Sequence, residues 1–336
     1  MLTIPLGTSG RSTTRLGFGC SSIMGALGRS DSLKMLEAAW DSGIRHFDVA
    51  PMYGYGEAEA CLGEFSSRHA GQITVTTKFG IPPETGRAVT RIARSMLRPV
   101  AQKFPALKQR LSGGSKVPSL AELAAAEAPA LPKEPNPIFN VEEAKRSLHR
   151  SLKALKSERV DVFLLHDVTA DDLVDDTLLR FLEDSVASGL VGTFGAGTDR
   201  NQIDLLLLGH PAYCRTLQYE WSIFNPVSTS ENVFRMHHRS LTANFRSLQA
   251  ALIADGDRCS RWSQATNAEL ANPEVLATLM LKAALVVNPS SVILFSSKSP
   301  DHIHANAVLA SDHALSAAAT ALYSILQAEL TSHPGT

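Results

Sequence analysis

The 336-residue sequence has few cysteines and no long apolar run, and both absences narrow the class of protein. The four cysteines, Cys20, Cys61, Cys214 and Cys259, are scattered without a Cys-x-x-Cys motif or close Cys/His spacing. This argues against a disulfide framework and against a structural zinc site. No stretch of about 18 apolar residues could span a membrane, and the first residues lack the basic and apolar segments of an export signal. These absences predict a cytoplasmic protein with no membrane span.

An excess of charge of one sign is also missing. The 32 basic and 33 acidic residues give a formal net charge of -1, so the sequence does not favour binding to nucleic acid. With 44% hydrophobic and 19% charged residues, a chain of this length can bury a large core in one or two domains. We therefore expect a compact protein whose charge signals are local, and its oligomeric state is unknown from the sequence.

The sequence contains a regular alternation of short apolar strands and amphipathic helices. Strand candidates such as VDVFLLH (160–166) and helix candidates such as NVEEAKRSLHRSLKALKSER (140–159) repeat about eight times in roughly 300 residues. This number predicts one α/β domain over residues 1–336, a (β/α)8 TIM barrel with an N-terminal β-hairpin. A doubly wound open sheet is the main alternative, but no G-x-G-x-x-G motif follows an early strand. The short segment between QYEW and VFRMHHR predicts that the sixth helix is reduced to a turn.

Polar residues stand at the ends of three strand candidates. RHFDVA carries Asp48 and leads to Tyr53. ITVTTK ends at Lys78, and VDVFLLH ends at His166. Because the carboxyl ends of barrel strands meet at one rim, we expect these side chains to converge there, with Asp48 paired to Lys78.

This set of residues suits proton donation to a carbonyl oxygen. An ammonium near a phenol lowers the pKa of the phenol, so Lys78 is expected to activate Tyr53 as an acid while His166 orients the substrate. None of the side chains can donate a hydride, so a cofactor must supply it. The alternatives are an ion pair that is only structural and a barrel that binds the cofactor without turnover.

Several segments of the chain together resemble the aldo-keto reductase family. They are PLGTSGRSTTRLGFGCSSIMG, SGIRHFDVAPMYGYGEAE, VTTK, DVFLLH, GTFGAG, LQYE and SSKSPDHIHAN. The D-x-A-x-x-Y-G arrangement at residues 48–54, combined with the later lysine and Leu-His, is the specific part. The resemblance implies an oxidoreductase that interconverts a carbonyl compound and its alcohol, with a nicotinamide cofactor across the barrel mouth. It also implies that Tyr53 is the general acid/base, Lys78 and Asp48 its supports, and His166 the orienting residue.

The resemblance implies cofactor contacts at the nicotinamide end. They are the turn of Gly19, Cys20 and Ser21, whose backbone borders the cofactor, and the side chains of Thr198, Gln218 and His238. Gln218 corresponds to a contact of the nicotinamide amide, and His238 to the aromatic residue that stacks on the ring. Thr198 stands where the family usually has the Asn of a Ser-Asn pair, so it replaces only part of that bonding. A metal at His237 and His238 is not predicted, because neighbouring strand residues point to opposite faces.

The segment SSKSPDHIHAN corresponds to the adenosine end. The positions where the family binds the 2′-phosphate and the adenine are Ser297, Lys298, Ser299, His302 and Asn306. They favour NADP(H) over NAD(H), although the arginine and glutamate usual in the family are absent. The serines could also simply cap the following helix, and capping and phosphate binding both use a helix start.

The alternation is interrupted by a long insertion after the third barrel strand. Residues 81–138 exceed a usual strand-to-helix loop, and nine of the 17 prolines fall in residues 82–137, which argues against an independent domain. Residues 87–116 carry eight basic residues and no acid. Because the insertion leaves from the strand of Lys78, we expect a basic lid that favours anionic carbonyl substrates. A solvated surface helix and a membrane- or partner-binding helix are the alternatives.

Overall fold

The computed structural model describes residues 1–82, 136, 138–174, 176–227 and 233–332, and its strands form a hairpin and a closed barrel. In the hairpin, β1 (Thr3–Pro5) pairs antiparallel with β2 (Ser12–Thr14). The barrel strands are β3 (Leu16–Gly19), β4 (His46–Asp48), β5 (Thr74–Phe79), β6 (Val160–His166), β7 (Val191–Gly197), β8 (Thr216–Glu220), β9 (Phe234–His238) and β10 (Ser291–Phe295). All eight are parallel, neighbours in sequence are neighbours in the barrel, and β10 closes onto β3. The predicted TIM barrel with an N-terminal hairpin is confirmed.

Helices cover the outside of the barrel. Within the described residues they are α1 (Arg29–Asp41), α2 (Ala58–Ser66), α3 (Val141–Leu155), α4 (Asp176–Ala187), α5 (Ile203–Gly209), α6 (Thr242–Ala254), α7 (Gly256–Thr266), α8 (Pro273–Val287), α9 (Pro300–Ser311) and α10 (Ser316–Ser332). Short 3₁₀ helices span Cys20–Ser22, Tyr53–Gly56, Ser67–His69, Ala170–Asp172, Arg200–Gln202 and Pro211–Tyr213.

Two segments differ from a simple repeat of strand and helix. Between β8 and β9, residues 221–227 contain no helix and 228–232 lie outside the described residues, so the loss of the sixth helix stays a prediction. After β9 the chain forms α6 and α7 before α8, although the sequence pattern assigns no helix to residues 242–266. Almost the whole of the predicted insertion at 81–138 also lies outside the described residues.

Helix α3 shows how the sequence sets an element's limits. The Asn140 side chain accepts a hydrogen bond from the backbone N–H of Glu143 at 3.0 Å and caps the first turn. Leu148 and Leu155 recur at helical spacing and are buried against the barrel. The helix ends where Lys156 adopts a left-handed conformation with φ of 52°. Of the described helices, none is long and apolar enough to cross a membrane.

The hairpin closes the amino-terminal end of the barrel. Leu6 packs inside against Val162 and Leu164, which face inward from β6. At the barrel rim, Arg11 of the hairpin turn forms an ion pair of 3.0 Å with the largely buried Asp161. The hairpin thus fills one end of the barrel interior, and the cavity described below lies at the other end, where the carboxyl ends of the strands meet.

Gly195 allows β7 and β8 to approach closely, and it provides a test of this packing. A Cβ atom at this position would lie 1.7 Å from the carbonyl oxygen of Thr216. We expect Gly195→Ala to lower the free energy of unfolding by about 3 kcal/mol, because the backbone of β8 cannot move without disturbing the barrel. Urea-induced unfolding followed by tryptophan fluorescence measures this loss.

Gly209→Ala is the matched control for this substitution. A Cβ atom at Gly209, in α5, meets no described atom within 4 Å, so the free energy of unfolding should change by less than about 0.5 kcal/mol. Similar losses for both variants would contradict the close approach of β7 and β8.

Candidate active site at the carboxyl rim of the barrel

A buried ion pair lies at the centre of the carboxyl rim. Lys78 Nζ donates to Asp48 Oδ1 at 2.6 Å and to the carbonyl of Val49 at 3.3 Å. The other carboxylate oxygen, Oδ2, accepts from Gln218 Nε2 at 2.6 Å. Asp48 is 4% exposed and Lys78 is 1% exposed, so each charge depends on the other for compensation. The predicted pairing of Asp48 with Lys78 is therefore present. Gln218 binds the same carboxylate from a third strand.

Tyr53 lies above this pair in a tight turn. Gly54 has φ of 60°, and a Cβ atom there would lie 2.5 Å from the carbonyl oxygen of Ile23, so glycine is required for the turn to pack. Lys78 Nζ is 5.2 Å from the centroid of the Tyr53 ring. The His166 ring meets the Tyr53 ring edge-on, with 6.3 Å between centroids. The four side chains predicted to converge are thus brought together.

The pKa of the Tyr53 phenol lies above its usual value. Lys78 is the largest single influence and lowers the pKa, but burial and the Asp48 carboxylate together raise it by more. The expectation that Lys78 leaves Tyr53 with a lowered pKa is therefore wrong for the free protein. The phenol is protonated at neutral pH and can act as a hydrogen-bond donor or an acid.

Lys78 and His166 differ in charge state, since the first is charged and the second is neutral. Burial lowers the pKa of Lys78, but Asp48 and Tyr53 outweigh it and hold the pKa above its usual value, so the ammonium stays charged. Burial and the Lys78 charge lower the pKa of His166 to about 3. The imidazole is consequently neutral, and its Nδ1 atom has no hydrogen-bond partner among the described residues. A neutral imidazole can donate one hydrogen bond to an oxygen atom.

A cavity of about 620 Å³ opens above the four side chains. It is lined by Gly19, Ser21, Asp48, Tyr53, Ile81, His166, Asp167, Gly197, Thr198, Asp199, Gln218, His238, Arg239, Ser240, Leu241, Leu281, Leu294, Phe295 and Ser296. Five residues predicted to bind a cofactor are in this wall: Gly19, Ser21, Thr198, Gln218 and His238. The cavity has the size of a small-molecule site and includes both the candidate acid and these residues.

Two of the predicted nicotinamide contacts already bond to the protein. Thr198 donates its hydroxyl to the carbonyl of Val168 at 2.6 Å, and its hydroxyl oxygen can still accept. Gln218 uses Nε2 on Asp48, which leaves its carbonyl oxygen to accept from a ligand amide. The Cys20 side chain is fully buried outside the cavity, and burial raises the pKa of its thiol, whereas its neighbours Gly19 and Ser21 line the cavity.

The predicted adenosine residues lie beyond the cavity wall. Ser296 lines the cavity and donates to the Gly19 carbonyl at 2.7 Å, and the chain then continues through Ser297 to α9. Ser299 caps α9, since its hydroxyl accepts from the N–H of His302 at 3.5 Å. Lys298 and His302 are exposed, and Asn306 is half-buried. These residues line no part of the described cavity, so their cofactor contacts stay predictions.

Sequence reasoning missed the residues that follow β9. Arg239, Ser240 and Leu241 line the cavity immediately before α6. Ser240 is 4% exposed, and its hydroxyl has no hydrogen-bond partner among the described residues. An arginine, an unsatisfied hydroxyl and the start of a 13-residue helix form an arrangement that fits a diphosphate group. In the sequence, these contacts are indicated only by the two polar residues that directly follow β9, Arg239 and Ser240.

The two adjacent histidines of β9 have different environments. His238 lines the cavity, whereas His237 lies outside it and packs edge-on against Tyr219, with 4.8 Å between ring centroids. Burial lowers the pKa of His237 to about 3. Within the residues that the structure describes, no group of three His, Cys, Asp or Glu side chains could hold a metal ion.

The barrel, the four titratable side chains at its carboxyl rim and the cavity above them define a TIM-barrel protein with a candidate active site at the ends of its strands. The model of the Aldo/keto reductase family matches residues 15–256, and the chain belongs to this family. Pyridoxal 4-dehydrogenase of Microbacterium luteolum is 44% identical over 78 residues, which is 22% of this chain and 23% of that protein. D-threo-aldose 1-dehydrogenase of a Pseudomonas species is 29% identical over 196 residues, which is 56% and 51% of the two chains. The chain thus matches between about a quarter and a half of these curated relatives' length.

Solved structures share the fold over nearly the whole chain. The holo form of an aldo-keto reductase from Bacillus halodurans has a TM-score of 0.64 at 19% identity, covering 97% of this chain and 96% of that one. An aldo-keto reductase from Klebsiella pneumoniae in complex with NADPH has a TM-score of 0.59 at 17% identity, with coverage of 97% and 96%. At these identities the similarity concerns the fold.

Removal of one partner of the buried ion pair tests its contribution to stability. We expect Lys78→Met to lower the free energy of unfolding by about 3–5 kcal/mol, because it leaves the Asp48 carboxylate buried without a counter-charge. Urea-induced unfolding is the measurement, and the double variant Asp48→Asn, Lys78→Met should recover part of the loss.

Arg29→Met is a matched control on an exposed pair. Arg29 pairs with Glu64 at the surface, with side chains 61% and 35% exposed, so its loss should cost at most about 1 kcal/mol. A Lys78→Met variant as stable as Arg29→Met would contradict the dependence of Asp48 on Lys78.

Proposed function

We propose that the protein is an NAD(P)(H)-dependent oxidoreductase that interconverts a carbonyl compound, an aldehyde, ketone or aldose, and its alcohol. The observation that carries this proposal is the convergence of Tyr53 and His166 above the buried Lys78–Asp48 pair, at the base of the cavity. Family membership supports it, as do the two curated relatives, whose names describe dehydrogenases.

The wall of the cavity fits a nicotinamide dinucleotide, which supplies or accepts the hydride when bound. Arg239, Ser240 and the start of α6 would hold the diphosphate, whose charge an arginine and a helix N-terminus both favour. His238 would pack against the nicotinamide ring. Gln218 and Thr198 would both accept from the N–H groups of the carboxamide, Gln218 through its carbonyl oxygen and Thr198 through its hydroxyl oxygen.

Tyr53 would transfer the proton. Its phenol is protonated at neutral pH, so it can donate to the carbonyl oxygen during reduction. In the reverse direction Lys78, the group that lowers the pKa of Tyr53 most, would stabilise the phenolate as the proton leaves the alcohol. His166, neutral at this pH, would hydrogen-bond the reacting oxygen and orient it.

The Asp48 carboxylate would connect the acid to the cofactor site. One of its oxygens binds Lys78, and the other binds Gln218. The buried Asp48 therefore positions both the Lys78 ammonium, which lowers the pKa of Tyr53, and the Gln218 amide, which would contact the carboxamide of the nicotinamide.

A cofactor-binding regulatory or sensor subunit with little turnover is the alternative function. It shares the cavity and the cofactor but not carbonyl-dependent oxidation of NADPH. Incubation of the protein with NADPH and a panel of aldehydes separates the two, since only an enzyme consumes the cofactor in proportion to the aldehyde.

Three further hypotheses come from the sequence. A cytoplasmic location and an anionic substrate stay predictions, the second because the basic insertion lies outside the described residues. The preference for NADP(H) over NAD(H) rests on Lys298 and the capped start of α9. The Klebsiella pneumoniae structure, a complex with NADPH, is consistent with this preference.

Replacement of Tyr53 tests the proposed acid. We expect Tyr53→Phe to lower kcat by at least about a hundredfold, because it removes the proton donor and leaves the ring packing intact. NADPH binding, followed by the quenching of tryptophan fluorescence, should be nearly unchanged. Tyr55→Phe is the control, since Tyr55 lies in the same turn but not in the cavity wall, and it should retain normal turnover. Near-normal turnover of Tyr53→Phe would refute the assignment.

Replacement of Lys298 tests the cofactor preference. We expect Lys298→Ala to weaken NADPH binding by roughly tenfold and NADH binding hardly at all, because only NADPH carries the extra phosphate. Titration calorimetry measures both affinities. Lys34→Ala removes an exposed lysine from α1, far from the proposed site in sequence, and should change neither affinity. Equal losses for the two cofactors in Lys298→Ala would show that Lys298 does not contact the 2′-phosphate.

A further inference from the structure

Asp167 occupies an unusual backbone position in the cavity wall. It follows His166 directly and has φ of 62°, in the left-handed region. Its backbone N–H donates to the carbonyl of Gly197 at 2.6 Å, which fixes this conformation between β6 and β7. A non-glycine residue in this region costs free energy, and such residues concentrate at functional sites. The turn places an acidic residue in the cavity wall, beside the residue proposed to orient the substrate.

The charged residues of the cavity wall follow different strands of the barrel. Asp167 and Asp199 follow β6 and β7, whereas Arg239 and the start of α6 follow β9. A diphosphate group is attracted to the second side and repelled by the first. The anionic part of a cofactor therefore belongs at the β9 side. Asp167 is left at the end where Tyr53 and His166 meet the substrate.

On the basis of the proposed function, we infer that Asp167 is a specificity-determining residue that accepts a hydrogen bond from a substrate hydroxyl group. A carboxylate has about four acceptor positions, so it can bind a hydroxyl in addition to any protein donor. A hydrogen bond to a charged acceptor discriminates strongly against a substrate that lacks the hydroxyl. The substrate class is a neutral, polyhydroxylated carbonyl compound, such as an aldose. This class differs from the anionic substrate that the basic insertion predicts.

Four aldehydes and two variants test the inference. Glyceraldehyde and propanal differ in hydroxyl groups at the same chain length, and succinic semialdehyde and butanal differ in a carboxylate. Asp167→Gly keeps the left-handed backbone and removes the carboxylate, whereas Asp167→Asn keeps an acceptor oxygen and removes the charge. Asp171→Asn, at an exposed position of the same loop, is the control. The measured quantity is kcat/KM for NADPH-dependent reduction.

The expected result is a loss of selectivity between the aldehydes in the Asp167 variants and no change in Asp171→Asn. The unmodified protein should prefer glyceraldehyde to propanal by at least about tenfold. Asp167→Gly should lose this preference, because its kcat/KM falls by at least about tenfold more with glyceraldehyde than with propanal, and Asp167→Asn should retain part of the preference. Both variants should gain about threefold or more with succinic semialdehyde, since a like charge is removed.

Other outcomes would overturn the inference in distinguishable ways. Equal losses with glyceraldehyde and propanal in Asp167→Gly would assign Asp167 a structural role only. A preference of the unmodified protein for succinic semialdehyde over butanal would overturn the neutral substrate class and favour the basic insertion. An absence of turnover with every aldehyde would overturn the proposed function and this inference together.

Discussion

The buried ion pair of Lys78 and Asp48 is the constraint on which the rest of the site depends. Two charges removed from water are tolerated only when their geometry is close and their remaining bonding positions are filled. Here the 2.6 Å contact between them, the Gln218 amide on the second carboxylate oxygen and the Val49 carbonyl fulfil that condition. Because these groups belong to β4, β5 and β8, the pair fixes strands on different sides of the barrel relative to one another.

The electrostatic states above the pair follow from the same burial. Lys78 lowers the pKa of the Tyr53 phenol more than any other group, but burial and the Asp48 carboxylate together raise it above its usual value, so Tyr53 stays protonated. Burial also lowers the pKa of the His166 imidazole to about 3, so this ring is neutral. Tyr53 and His166 are therefore two neutral hydrogen-bond donors above the charged pair of Lys78 and Asp48. Such donors suit a carbonyl oxygen, on which negative charge develops during reduction.

The loops at the carboxyl rim complete the wall of the cavity above this centre. In a parallel barrel the carboxyl ends of all strands lie at one rim, so the side chains of the following loops line a common cavity. The segment after β9 brings Arg239 and Ser240, and the turn after β6 brings Asp167. The hairpin with Leu6 closes the opposite end, so the cavity is confined to this rim. Solved structures of the family share this barrel fold at under 20% identity.

The sequence by itself determined the barrel and the four rim residues, because these depend on local patterns. Strand and helix periodicity is visible in short windows, and Asp48, Tyr53, Lys78 and His166 stand at recognisable strand ends. The tertiary structure alone decided the bond between Gln218 and Asp48, which are 170 residues apart, and the direction of the Tyr53 pKa shift. It also decided that Ser240 and Asp167 share one cavity wall and that α6 begins there. These properties result from burial and from charges on other strands, and a linear pattern of residues contains neither.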